Sequence, residues 1–139
     1  MPHRLYLLKK PNMPENHVFE YAVIRVVPRV EREEFINVGV ILFCKRTKFL
    51  RCIIQVDEQR LAAFSNGLDI ETVKANLNAF AEITRGNKTC GTIANLDEAS
   101  RFRWLTATRS TVVQTSKVHP GLTVDCERTL QRLFNEMVG

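Results

Sequence analysis

The chain lacks most of the features that announce biochemical machinery. Its four cysteines lie at 44, 52, 90 and 126, and no two form a CxxC pair. The three histidines, at 3, 17 and 119, are scattered. That spacing does not match a structural zinc site, so neither a metal nor a cofactor is expected. No glycine-rich phosphate loop is present. The longest apolar run, Val38–Cys44 with Gly39 inside it, is far too short to span a bilayer. The opening stretch MPHRLYLLKKPNMPENHVFE has neither a long apolar core nor a small-residue cleavage site, so no secretory leader is expected. These absences point to a cytoplasmic protein without membrane contact. Its cysteines then read as small buried hydrophobes kept reduced.

What is present is ordinary for a folded chain. The 139 residues are 45% hydrophobic and 25% charged, enough for one domain over 1–139 with its own core. Residues 1–17 read as irregular, broken by Pro2, Pro11 and Pro14. Three strands are predicted at 19–28, 35–44 and 49–56, rich in β-branched and aromatic residues and spaced closely enough for antiparallel hairpins. The period then changes. Asp57 is placed to cap a short helix running through Phe64, closed by Asn66–Gly67. Asp69 is placed to cap a longer helix, with Ile70, Val73, Leu77, Phe80 and Ile83 on one stripe and Gly86 after the last turn. Residues 86–96 read as loop, 97–105 as one or two helical turns, 111–116 as a short strand and His119–Gly121 as a turn. Asp125 opens a last helix whose stripe is Cys126, Leu130, Leu133, Phe134 and Met137. The sum is an α+β fold: an antiparallel sheet of about four strands with helices packed on one side.

The second strand poses the main question. Side chains alternate along a strand. One face would carry Ile36, Val38, Val40, Leu42 and Cys44, and the other Phe35, Asn37, Gly39, Ile41 and Phe43. A register that keeps the apolar faces together pairs Arg25 with Asn37 and Val23 with Gly39. The next hairpin then sets Asn37 across from Gln55, giving a polar row Arg25–Asn37–Gln55. Tyr21, Val27, Phe35, Ile41 and Phe43 share that face, too many large apolar groups for free solvation. The face is therefore expected to be partly covered, by the chain's own helices or loops or by a partner. Gly39 leaves a gap beside Asn37 where a backbone or a ligand can come close. Either Asn37 ties the covering segment to the sheet or it serves a ligand or catalytic site.

Two further clusters stand out. Residues 106–116 hold Thr106, Thr108, Arg109, Ser110, Thr111, Gln114, Thr115 and Ser116, hydroxyls around an arginine just before a strand, a composition suited to phosphate or carboxylate. The alternative is a hydroxyl-rich edge with Arg109 paired to Glu33 or Glu34. Lys45, Arg46, Lys48 and Arg51 gather at a predicted hairpin tip in a chain of net charge +5. Charge at such a tip usually just faces water, though it also suits a nucleic-acid phosphate.

The stretches YAVIRVVPRVEREEFINVGVILFC and RFRWLTATRSTVVQTSKVHPGL resemble a bacterial family described only as a domain of unknown function, number 3037. The positions that carry the resemblance are Tyr21, Arg25, Pro28, Glu34, Phe35, Asn37, Val38, Gly39, Val40, Arg109, Ser110, Thr111, Pro120 and Gly121. Glu33 stands where the family often has glycine, and Thr111 where serine is common. The resemblance implies no established activity. It implies an association with kinase-like proteins related to the toxin half of HipA-type pairs, and so an accessory role. It also picks out Arg25, Glu34, Asn37, Gly39, Arg109 and Ser110, reached independently from the strand register and the hydroxyl cluster.

Three readings follow, in order of preference. The first is a small accessory or interaction domain with a protein partner, of which a HipA-like kinase is one. The second is an enzyme for a phosphate- or carboxylate-bearing substrate, with Glu34 as candidate base and Arg25, Asn37, Gly39, Arg109 and Ser110 as ligand contacts. The third is nucleic-acid binding through Lys45, Arg46, Lys48 and Arg51.

Overall fold

In a computed structural model of the chain, residues 15–28, 34–65, 67–109 and 111–139 are described. Strands β1 (His17–Val26), β2 (Ile36–Cys44) and β3 (Phe49–Ile54) form an antiparallel meander. Helices α1 (Glu58–Phe64), α2 (Ile70–Arg85) and α3 (Glu98–Leu105) follow, with 3-10 turns at Lys88–Cys90 and Ile93–Asn95 between the last two. Strands β4 (Val113–Thr115) and β5 (His119–Thr123) then return to β1, and α4 (Cys126–Met137) ends the order. The expected α+β class holds, with five strands among the described residues, in the order β3-β2-β1-β4 and β5 also on β1. Residues 1–14 of the segment expected to be irregular and most of the charged connection between β1 and β2 lie outside the described residues, as does Asn66, expected to help close α1; His17, placed in that segment, already belongs to β1.

Each α-helix begins the same way. Asp57, Asp69, Asp97 and Asp125 sit at the N-caps in extended conformation. Each carboxylate accepts from the N–H three residues on: Arg60 at 3.1 Å, Thr72 at 3.2 Å, Ser100 at 2.8 Å and Arg128 at 3.1 Å. Gly86, left-handed with φ 73°, ends α2 as expected. Beside it the buried Arg101 donates to the carbonyls of Leu96 at 2.6 Å and Thr84 at 3.4 Å, binding α3 to the end of α2.

The sheet serves two cores. Ala22, Ile24, Val26, Ile41 and Phe43 pack against α1, α2 and α3, with Phe43 stacked on Phe102 at 5.3 Å between ring centroids. On the other face Phe19, Val40, Leu42 and Cys44 pack against Leu130, Leu133 and Phe134 of α4. The cover expected on the second face is therefore a helix of the chain itself.

The face assignment of β2 needs correction. Ile36 and Val38 join the first core, whereas Val40, Leu42 and Cys44 join the second. Simple alternation puts all five together. Arg25 pairs with Asn37 as expected, but Ile24 pairs with Gly39 and Val23 with Val40. Val38 thus has no residue opposite it on β1. It is a β-bulge, and beyond it every side chain of β2 changes face relative to the simple pattern. On the other flank Gly39 faces Ile54, and the Gln55 N–H donates to the Val38 carbonyl at 2.8 Å. Gln55 is therefore offset by one residue from the expected place opposite Asn37. The gap at Gly39 is filled by backbone: a Cβ there would overlap the Ile53 carbonyl oxygen.

The HPG turn is also corrected, because His119–Gly121 opens β5. Pro120 pairs with Glu20 on an edge strand, where a missing N–H can face solvent. Gly121 pairs with Phe19, whose ring occupies the space a Cβ would need. Between β4 and β5 the buried Ser116 keeps the ladder continuous. Its N–H donates to the Val23 carbonyl and its Oγ accepts from the Val23 N–H, both at 2.8 Å.

Two stability predictions follow from these contacts. Gly39→Ala is expected to destabilise the fold by about 1–3 kcal/mol, since β2 and β3 must move apart to admit a methyl group. Ser116→Ala is expected to lose about 1–3 kcal/mol by leaving the Val23 N–H buried and unpaired. Urea titration followed by circular dichroism checks both, and an unchanged midpoint in either variant contradicts the corresponding contact.

Candidate functional site

The strand register builds a polar row across the sheet. Arg25, on central strand β1, is flanked by Asn37 of β2 and Gln114 of β4. Ile24 and Val26 point into the first core, so alternation sends Arg25 to the α4 face. Ile36 and Val38 do the same for Asn37, and Val113 for Gln114. A polar row therefore exists, with Gln114 as its third member in place of Gln55. The resemblance and the register argument meet here on Arg25 and Asn37.

Each member of the row has a distinct environment. The Arg25 guanidinium lies 4.0 Å from the centroid of the Phe35 ring, which is 44% exposed. Burial lowers the pKa of Arg25 from its ordinary value. Its Nε is buried without a hydrogen-bond partner among the described residues. Asn37 Nδ2 donates to the Met137 carbonyl at 3.2 Å, satisfying one of the open carbonyls at the end of α4. Asn37 Oδ1 is buried and has no partner among the described residues. Gln114 Nε2 donates to the Thr111 carbonyl at 2.8 Å. Beside Asn37 lies a hollow of about 210 Å3, lined also by Gln55, Asp57, Arg60 and Gly139. The Asn37 amide thus ties α4 to β2 with its nitrogen, and its oxygen has no partner among the described residues.

Arg109 stands elsewhere. Its guanidinium stacks 3.6 Å from the centroid of the Trp104 ring and donates to the Trp104 carbonyl. It lines a hollow of about 180 Å3 with Phe80, Ile83 and Val113, on the side of the sheet that α2 and α3 cover. Burial lowers its pKa as well. Arg25 and Arg109 consequently lie on opposite sides of the sheet, not around one substrate. The Thr111 hydroxyl is spent locally on the Val113 carbonyl at 2.6 Å. Ser110 lies outside the described residues, and Glu34 is exposed.

The basic hairpin is where expected, with exposed residues 45–48 linking β2 to β3. Two of its arginines hold acids: Arg46 lies 3.4 Å from Glu15, and Arg51 donates to Glu127 of α4 at 2.7 Å. Three features escaped the sequence reading. Arg101, and the bonds of Ser116 to β1, join segments distant in sequence; Ser116 stood in the hydroxyl cluster, but no local pattern marks such a role. The third is the exposed pair Val18 and Leu122, hidden by reading Pro120–Gly121 as a turn. The alternation of Leu122, Thr123 and Val124 after that dipeptide was the available signal.

No curated protein and no solved structure matches the chain. A family model described as a protein of unknown function, DUF3037, matches residues 21–138, a span that holds every described strand position from Tyr21 on, the polar row and the Arg109–Trp104 stack. The chain belongs to the DUF3037 family.

Proposed function

We propose that this chain is a small accessory domain that works by binding another protein, and that the partner seats on the open end of the β1–β5 pair. The supporting observation is an apolar strip at an edge of the sheet. Val18 and Leu122 lie opposite each other in the ladder and are 64% and 67% exposed. Val124 continues the strip. Exposed apolar groups that touch one another mark interaction surfaces, whereas scattered ones do not. The strip borders a hollow of about 590 Å3 lined by Val18, Glu20, Phe43, Lys45 and Arg46. A partner segment with apolar side chains flanked by carboxylates suits this chemistry. The apolar contacts supply affinity and the basic rim supplies orientation. The association that the resemblance implies makes a HipA-like kinase the first partner to try.

A second reading rests on the polar row. Buried polar atoms are rarely left unpaired, and the row holds two without a partner among the described residues, Arg25 Nε and Asn37 Oδ1. A small ligand bearing a carboxylate or phosphate could meet the arginine, and its donors the amide oxygen. An enzymatic role would need such a ligand at Arg25 and Asn37 without Arg109.

Two experiments test these readings. Tagged protein recovered from its native extract, with and without nuclease, is expected to carry a stoichiometric protein that survives nuclease. Val18→Glu and Leu122→Glu should lose that protein while keeping the wild-type melting temperature, since both side chains are largely exposed. Recovery of bare protein, or of a partner only in the absence of nuclease, overturns the accessory reading. For the row, Asn37→Ala is expected to lower stability by about 1–3 kcal/mol through the Met137 carbonyl it leaves unpaired. Thermal-shift screening with small carboxylates and phosphates, repeated in Arg25→Met, decides the second reading. It is abandoned when no compound stabilises the wild-type protein.

A further inference from the structure

The end of α3 sets one arginine beside an apolar hollow. Helix α3 stops at Leu105, and the chain turns back so that Arg109 lies on the Trp104 ring. Its guanidinium gives one N–H, from Nη2, to the Trp104 carbonyl, where a helix end favours a cation. The ring takes the flat face of the guanidinium at 3.6 Å from its centroid. Stacking uses that face and leaves the other N–H groups, around the edge, for an acceptor. Among the described residues no carboxylate forms an ion pair with Arg109.

The hollow measures about 180 Å3. Phe80 and Ile83 of α2, Leu105 of α3 and Val113 of β4 line it with apolar side chains. Phe80 and Leu105 are buried in the first core, and Ile83 and Val113 pack against it, so the fold itself holds these walls in place. Arg109 is the one charged residue of that lining among the described residues. Thr111, also in the lining, is already committed: its hydroxyl donates to the Val113 carbonyl and its carbonyl accepts from Gln114. An apolar protein cavity of about 150 Å3 is enough to hold benzene, so this hollow has room for one ring. An arginine that merely capped α3 would account for the bond to Trp104. It would not call for a fixed apolar wall beside the remaining N–H groups.

We propose that the hollow beside Arg109 is a binding site for a small carboxylic acid whose apolar body is about the size of one ring. The body fills the space between Phe80, Ile83, Leu105 and Val113. The carboxylate takes the remaining N–H groups of Arg109, a planar donor fork that matches its two oxygens. Charge selects the class of ligand. One cation, with no second basic residue in the lining among the described residues, matches a single negative charge. A phosphate dianion would leave a charge uncompensated against apolar walls. The site depends on neither of the readings above. Arg25 and Asn37 face the opposite side of the sheet, and the strip of Val18 and Leu122 contributes no residue to the hollow.

The test is titration of the purified full chain with sodium benzoate and sodium cyclohexanecarboxylate, followed by calorimetry and by methyl NMR. Benzamide serves as the neutral counterpart and inorganic phosphate as the apolar-free anion, all at one ionic strength. At least one of the two carboxylates is expected to saturate a single site and to move the methyl signals of Ile83, Leu105 and Val113. Benzamide and phosphate should bind at least about tenfold more weakly, as should the carboxylate in Arg109→Met, which loses a charge-assisted hydrogen bond. Ala79→Met offers a second route should Arg109→Met fold poorly. Ala79 lines the hollow from an exposed position of α2, so the longer side chain is expected to occupy the space and block binding at an unchanged melting temperature. Failure of both carboxylates to saturate overturns the proposal. So does benzamide binding as tightly as benzoate, or binding undiminished in either variant. Binding lost in Arg25→Met but kept in Arg109→Met assigns the anion to the polar row and overturns it equally.

Discussion

The structure depends on one extra residue in β2. Without the bulge at Val38, Ile36 and Val38 would lie on the same face as Val40, Leu42 and Cys44, and Asn37 would be directed with Ile41 and Phe43. The shift lets one strand give its first half to the core beneath α1, α2 and α3 and its second half to the core beneath α4. It also keeps Asn37 facing α4, where its amide can reach the Met137 carbonyl. Gly39 is needed immediately after the bulge because the neighbouring strand comes so close that the Ile53 carbonyl takes the place of a side chain. The amide and the bare glycine, which looked out of place in a core strand, are the two sides of one irregularity.

Much of the fold was legible because its signals are local. An aspartate ahead of an apolar stripe announces a helix start, and the four capping aspartates behave accordingly. Strand positions were legible for the same reason. The register was legible only as far as Arg25 and Asn37, since a bulge depends on how three strands fit and leaves no period in the sequence. The proline and glycine of His119–Gly121 misled in a physical way. Both are turn formers, yet here an edge position tolerates the missing N–H and the Phe19 ring requires the missing side chain. In the site, Arg25 and Asn37 were found and their third partner was not. Gln114 reaches the row through the pairing of β1 with β4, a contact across most of the chain.

The two arginines singled out by composition illustrate why residue type alone does not assemble a site. Each rests on an aromatic ring, Arg25 on Phe35 and Arg109 on Trp104. Stacking of this kind lets a guanidinium be partly desolvated without a carboxylate at every donor. The sheet lies between them, so the row on the α4 side and the stack beside α3 are separate features.

The position of α4 in the chain has a consequence for how the molecule is made. It follows the other described elements in sequence, and among the described residues it is the helix that covers Val40, Leu42 and Cys44. The meander of β1, β2 and β3 can pair early, and α1 to α3 can close one side of it. On the opposite side the helix that packs on it among the described residues, 126–137, arrives only after the rest has left the ribosome. Nascent chains of this protein therefore pass through a stage in which half of a finished sheet presents apolar side chains to the cell.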